Sequence, residues 1–198
     1  MEKKMFILFL LEVFLTSGLF GGEGVPVERQ QKIGFNYGYG SQLAMNVQYV
    51  YKVNLFHLQY FHPILTYNNF ALEFGIQPNY SRTIYETSPN ETDSKGYEYG
   101  LIIGLLVRKY FINDKLNLYM IIGTGPQFVS GTPPRQAAGF IFSDNLFLGI
   151  STRVHRYAFL DMRIGFRHIS NANLKEPNNG IDNLILEIGF HRPFIWQK

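Results

Sequence analysis

A serine hydroxyl is a weak nucleophile until a neighbouring imidazole removes its proton, and a carboxylate that holds the imidazole completes the device. Three residues near the end of the chain supply those parts: His168, Ser170 and Asp182. His168 and Ser170 stand two positions apart. On an extended strand that spacing puts both side chains on one face, with β-carbons roughly 7 Å apart. Between Ser170 and Asp182 runs a segment rich in Asn and Gly, which signals a turn. A hairpin there folds Asp182 back beside the other two.

The elements that must position these residues are strands. Apolar side chains recur at every second position in Ile33–Tyr39, Val47–Leu55, Phe70–Ile76, Leu101–Val107, Leu116–Ile122, Leu146–Ile150, Ala158–Phe166 and Leu184–Phe190. Period-2 alternation is the mark of a strand with two different faces. One face is aliphatic and aromatic; the other carries Gly, polar residues and charges such as Glu73, Asp161, Arg163, Arg167 and Glu187. An even number of long strands, with a Gly-rich second face narrow enough to fill a small lumen, fits an outer-membrane barrel whose apolar face meets lipid. An open sheet is not viable in lipid, because its edges leave backbone groups unpaired. The predicted fold is therefore all-β, an eight-stranded antiparallel transmembrane β-barrel of outer-membrane type, with Glu73, Asp161, Arg163, Arg167 and Glu187 paired inside. The connections are placed at 41–43, 56–69, 86–96, 111–115, 131–137, 152–157 and 172–180. Two of these, 56–69 and 86–96, are both long and break the strict long–short alternation expected of such a barrel.

Composition agrees. The 198 residues are 46% hydrophobic, 16% aromatic and only 17% charged, and the net charge is +3. A disordered chain is poor in aromatics, and a coiled coil needs Ala, Glu, Lys and Leu. The basic residues are scattered, so no nucleic-acid partner is expected. There is no Cys, which excludes disulfides, thiolate nucleophiles and lipoprotein acylation. His57, His62, His155 and His191 lack metal-ligand spacing, so neither metal nor cofactor is expected. Met1-Glu2-Lys3-Lys4 followed by the apolar run Met5–Phe20 and by Gly21, Gly22 and Gly24 describes an export signal. A helical anchor is the competing reading, but the run is short and contains Glu12. We read residues 1–24 as a removed signal peptide and 25–198 as one barrel domain.

Parity then places the chemistry. His168 and Ser170 share the face of Phe166, and Asp182 shares that of Leu184 and Leu186, so all three point at lipid. A charge there costs about 2–4 kcal/mol for Arg or Lys at mid-membrane, and less for Asp or near the interface. Two readings fit this parity: a nucleophile triad on the outer surface, or three polar residues that merely sit among headgroups.

The surrounding residues bear on the choice. His168-Ile169-Ser170-Asn171-Ala172-Asn173-Leu174-Lys175, followed by Pro177-Asn178-Asn179-Gly180-Ile181-Asp182, resembles the motif of the lipid A 3-O-deacylase (PagL) family of outer-membrane esterases. The family pattern is His-x-Ser-Asn-Ala-Gly-Leu-Lys and then Pro-Asn-x-Gly-Ile-Glu. The resemblance implies that His168 is the base, Ser170 the nucleophile and Asp182 the acid, with Asn171, Asn178 and the backbone N–H of Asn173 as oxyanion donors. It implies a lipid A or lipopolysaccharide substrate in the outer leaflet, and a bacterial outer-membrane location, as monomer or homodimer. Lys175 and Arg135, in expected outer loops, are candidates to meet the phosphates of that anionic substrate. Two positions depart from the family: Asp182 replaces Glu, and Asn173 replaces Gly. If the latter position needs a positive φ, Asn is the next most tolerant residue. A non-enzymatic barrel for adhesion or envelope stability is the alternative function. It explains the strands but not three polar residues on one lipid-facing patch.

Overall fold

A strand with one apolar and one polar face can lie in a membrane only if every backbone group finds a partner, and closing the sheet achieves this. The computed structural model describes residues 30–43, 49–87, 94–111 and 115–194. The signal segment and Val47 lie outside them. Eight antiparallel strands run in chain order around a closed barrel: β1 (Gln31–Gln42), β2 (Tyr51–Tyr67), β3 (Phe70–Tyr85), β4 (Ser94–Phe111), β5 (Leu116–Val129), β6 (Gly139–His155), β7 (Ala158–Ser170) and β8 (Ile181–Phe194). β1 pairs with β8 from Gln31↔Phe194 to Gln42↔Asn183, which closes the ring.

The two faces separate as the alternation requires. Ile33, Tyr37, Ile103, Leu105, Met120, Ile122, Leu148, Ile164, Phe166, Leu184 and Leu186 all point outward and are exposed. So broad an apolar surface is foreign to a soluble monomer and suits contact with lipid. The protein is an outer-membrane barrel. Connections at one end span residues 43–50, 86–93, 130–138 and 171–180; those at the other are 68–69, 112–115 and 156–157. Long loops mark the extracellular end.

One strand departs from the expected pattern. Residues 56–69 are not a loop: β2 runs through them to Tyr67, and the turn into β3 is only Asn68-Asn69, with Asn68 at φ 50°. The strict alternation of long and short connections is thereby restored. The face of β2 is also reversed at its start. Tyr51, Val53 and Leu55 point into the lumen, whereas Lys52 and Asn54 lie outside. They join Val129, Ile141, Ile169, Ile181 and Ile185 in an apolar plug beneath the extracellular loops. Beyond Leu55, the lumen side of β2 turns polar with His57 and Gln59, and Leu58 faces out. A plug reverses the usual meaning of apolar parity, because it needs apolar groups inside a barrel.

Below the plug the lumen is filled by charges in contact with one another. Arg163 donates to Glu187 at 2.7 Å, and Arg167 holds both oxygens of Glu98 at 2.7 and 3.0 Å. Lys32 and Arg108 meet Glu73 at 2.9 and 3.1 Å. Asp161 accepts from Asn36 and Tyr119 at 2.9 and 2.6 Å. The five charges expected inside are there; Lys32, Glu98 and Arg108 complete the network. Every one of these ions has been taken from water, so each depends on its partner. Removing one member is therefore expected to cost far more than replacing both. Glu187→Ala should lower barrel stability by about 3–5 kcal/mol, while Arg163→Met with Glu187→Leu should recover most of that loss. Urea unfolding in lipid vesicles measures both, and equal losses for the single and double variants would contradict this account.

Candidate active site

Antiparallel register brings the acid to the imidazole. On β7 and β8, His168 is paired directly opposite Asp182, with Phe166 opposite Leu184 one pleat below. Directly opposed β-carbons lie about 4.5–5.5 Å apart, so even the short Asp side chain spans the gap. The His168 Nδ1–H donates to Asp182 Oδ1 at 2.7 Å. With Nδ1 so engaged, Nε2 is left as the proton acceptor. The two side chains are 36% and 38% exposed, so the pair is open to a ligand arriving from the membrane surface. Ser170 lies one pleat nearer the loop, on the same outer face, opposite Phe142 of β6. The structure thus joins His168 and Asp182 by a hydrogen bond and adds Ser170 by its place along the strand.

The hairpin from 171 to 180 is built for this pair. Gly180 is buried with φ at +66°, a region glycine enters without steric cost. A β-carbon there would lie 2.5 Å from Cε1 of His168, so the imidazole rests on the bare backbone of Gly180. Ala172 and Asn173 adopt φ of 52° and 62°. The position where the family carries Gly does require a positive φ, and Asn173 supplies it. Asn178 ties the turn together: its Oδ1 accepts from the Asn171 backbone N–H at 2.8 Å, and its Nδ2 donates to Asn173 Oδ1 at 2.7 Å. Asn171 has a different place from the one expected. Its side chain is buried within the hairpin and donates to the Lys175 carbonyl at 2.6 Å, so it helps to shape the loop.

Two other loops hold the hairpin down. The backbone of 135–137 pairs with it, through Asn179 N–H to the Arg135 carbonyl at 3.0 Å and Ala137 N–H to the Pro177 carbonyl at 2.7 Å. Buried Gln136 accepts from the Gly180 N–H at 3.0 Å. Tyr49, from the β1–β2 connection, accepts from the Asp182 N–H at 3.1 Å. Arg135 stacks over the Tyr49 ring at 4.6 Å and donates to the Asn179 carbonyl at 2.8 Å. Its guanidinium therefore fastens loop to loop, whereas Lys175 stands exposed on the outside.

Asp144 of β6 is opposite His168 on the other side, and it also faces outward. Thr124 of β5 donates to its Oδ1 at 2.6 Å. Asp144 shares the parity of Leu146, Leu148 and Ile150, so the rule that singled out Asp182 also reaches it. Tyr49 and Gln136 carry no such signal, since both lie outside the strands.

Because the imidazole rests on Gly180, Gly180→Ala is expected to displace it. A hydrolytic activity that uses this imidazole should fall at least tenfold while the folded barrel persists, as read from heat-modifiable gel mobility alongside activity. Unchanged activity would show that the ring tolerates a β-carbon beneath it.

Comparison with known proteins follows this geometry. No curated protein sequence matches the chain. The crystal structure of the outer membrane enzyme PagL superposes with a TM-score of 0.55 at 17% identity, over 82% of this chain and 99% of that one. Neisserial surface protein A (NspA) gives 0.46 at 13% identity, over 83% of this chain and 97% of that one. Ail, the attachment invasion locus protein of Yersinia pestis, gives 0.46 at 13%, over 82% and 99% respectively. At 17% identity the likeness to PagL speaks to the fold alone. The sequence profile of lipid A 3-O-deacylase (PagL) matches residues 54–191, well over half of the chain, including β7, the 171–180 connection and β8 as far as His191. The chain belongs to the lipid A 3-O-deacylase (PagL) family.

Proposed function

We propose that the protein is an outer-membrane serine esterase that removes the 3-O-linked acyl chain of lipid A. The observation that carries this reading is the hydrogen-bonded His168–Asp182 pair on the lipid-facing surface, beside Ser170 and at the extracellular end. A substrate that is itself a membrane lipid explains why the polar groups lie outside the barrel. Ser170 Oγ attacks the ester carbonyl carbon as His168 Nε2 takes the hydroxyl proton. Asp182 holds the imidazole in the required tautomer and stabilises its charge. The tetrahedral intermediate collapses, the sugar oxygen leaves, and His168 returns the proton to it. Water then repeats the cycle on the acyl-serine, releasing the fatty acid. For the oxyanion we assign the backbone N–H of Asn173 and the second amide hydrogen of Asn178, because the Asn171 amide is buried on Lys175. To the phosphates we assign Lys175, which is exposed.

Lipid A from cells expressing the protein is expected to lose one hydroxyacyl group, read by mass spectrometry. Ser170→Ala and His168→Ala should each reduce turnover by roughly 10^4-fold or more without unfolding the barrel, since the members act as a unit. Unaltered lipid A with the active chain would favour a non-enzymatic barrel, and near-normal rates in either variant would reject the roles given to these residues.

Asp182→Asn should lower the rate by about 10^4-fold, because the amide favours the wrong tautomer. Asp182→Glu restores the family residue and should keep substantial activity. Full activity in the Asn variant would move the acid's role elsewhere, and Asp144, across β6–β7 from His168, is then the nearest carboxylate in register.

A further inference from the structure

At the extracellular ends of β2, β3 and β4 the outer face of the barrel carries a cluster of cations. Lys52 is paired with Ile84, and Ile84 with Lys95; one pleat below, Asn54 is paired with Arg82, and Arg82 with Tyr97. Arg82 is therefore diagonal to both lysines. Diagonal neighbours stand about 7–8 Å apart, and the two lysines, with β3 between them, roughly 10 Å apart. Arg82 and Lys95 are exposed, and Lys52 is half-buried. Among the described residues, the side chains of these three make no hydrogen bond or ion pair. The described acids at this end of β1–β4 are Glu98 and Glu86. Glu98 is turned into the lumen on Arg167, and Glu86 stands beyond the end of β3, where its N–H donates to the Val50 carbonyl at 3.3 Å. The outer face is left positive. Directly beneath runs an aromatic row, Phe56, Tyr80, Tyr99 and Phe128, each paired with the next. The rings of Tyr97 and Tyr99 stack at 6.3 Å, and those of Tyr99 and Phe128 at 5.3 Å. Such belts mark the level of the lipid headgroups.

We propose that Lys52, Arg82 and Lys95 hold the phosphate of an outer-leaflet glycolipid that is a bound neighbour of the barrel and not its substrate. β3 lies four strands from β7 in either direction around the ring, so a lipid seated here is on the opposite side from His168 and Ser170. The site is thus independent of the esterase reading. Charge and depth together decide the occupant. Three cations gathered at a membrane surface repel one another, and an anion brought by a ligand removes that repulsion. A phosphate has enough acceptor oxygens to meet all three, with the guanidinium fork binding two of them and each ammonium acting as a point charge. Long Lys and Arg stems reach along the aromatic rings while their heads stay at the polar level. Just below the cations, Tyr80, Tyr97 and Tyr99 are exposed and bring hydroxyl groups to the height of a sugar, and beneath them the apolar faces of β3 and β4 meet acyl chains. Phosphate, sugar and chain therefore meet matching surfaces in the order in which a phosphorylated glycolipid presents them.

The test uses the full barrel in phosphatidylcholine vesicles, with Ser170→Ala so that no lipid is consumed. A fluorophore is attached at Leu101→Cys, below the cluster, or at Ile164→Cys on the opposite side; the native chain has no Cys. Lipid A with brominated acyl chains is added as the quencher, and brominated phosphatidylcholine at the same mole fraction gives the reference. At position 101, lipid A should be enriched roughly tenfold or more over the reference. Lys52→Gln with Arg82→Gln and Lys95→Gln should bring that enrichment to within about twofold of the reference and leave quenching at position 164 unchanged. Lipid A stripped of its phosphates should show no enrichment at 101 on the unaltered cluster, which tests the same contact without a substitution there. An excess of inorganic phosphate should not displace the lipid; displacement would make this a site for free phosphate. Enrichment that survives the triple substitution or the loss of the lipid's phosphates would overturn the proposal. So would equal enrichment of brominated phosphatidylglycerol, which would show a surface that attracts any anionic lipid. Loss of a crosslinked dimer in the triple variant, with enrichment unchanged, would make the cluster a contact between two barrels.

Discussion

The geometry of the candidate site is fixed from the other side of the sheet. Arg167, the residue before His168, points into the lumen, where it grips both oxygens of Glu98 and donates to Asn183 Oδ1 at 3.1 Å. Asn183 is its directly paired neighbour on β8, and it follows Asp182. A one-residue slip of β7 would turn Arg167 out to lipid and carry His168 inward, away from Asp182. The cost of exposing that guanidinium to hydrocarbon, and of leaving Glu98 without its partner, makes the slip prohibitive. The buried ion pair thus sets the register, and the register sets a 2.7 Å contact on the opposite face. In this barrel the charges inside specify the position of the His168–Asp182 pair outside.

The extracellular end needs a second kind of restraint, because β7 and β8 part company above Ser170. The apolar plug of Tyr51, Val53, Ile141, Ile169 and Ile181 closes the lumen there and gives the loops a floor. Above it the loops bond to one another: Gln136 with Gly180, Arg135 with Asn179, and Tyr49 with the backbone of Asp182. Each of these contacts ends on a residue within three positions of Asp182, and one of them on Gly180, which supports the imidazole. A site on loops is ordinarily less exact than one on strands. Here His168, Ser170 and Asp182 stay on strand ends, and the loops act as a brace.

Much of this was legible in the amino-acid sequence, for reasons that differ by element. β4 to β8 announce themselves because each crosses lipid with a clean apolar face, and alternation reports that environment directly. The same rule singles out His168, Ser170 and Asp182, since polar groups at apolar parity are anomalous only on a lipid surface. β2 defeated it. Tyr51, Val53 and Leu55 alternate as lipid-facing residues should, yet serve the plug, and Pro63, beside a register shift, falls within the 56–69 stretch that the sequence assigns to a connection. Side-chain partners were harder still. Nothing in the order of residues reveals that Tyr49 reaches Asp182, because the contact spans 133 positions and depends on closure of β1 on β8. The hairpin motif sits between these cases. Its Asn and Gly announce a turn, but that Asn171 points inward while Asn178 binds the turn together follows only from the positive φ of Ala172 and Asn173.

Both departures from the family motif have a local physical account. Asn173 occupies the left-handed region at φ 62°, and its side chain accepts from Asn178, a bond that glycine cannot make. The strain of leaving glycine out is thus offset by a link that steadies the turn. Asp182 is one methylene shorter than Glu, yet no inward shift of β8 is needed to bring it to His168. The residues are directly paired, the distance is already 2.7 Å, and the Asp182 backbone is held on both sides, by the Tyr49 hydroxyl and by Leu43 N–H on its carbonyl at 2.9 Å. A short acid on a braced strand has few rotamers and therefore loses little freedom when it holds the ring. The chain exchanges side-chain reach for backbone restraint, and the β1–β2 connection through Tyr49 is where that restraint is applied.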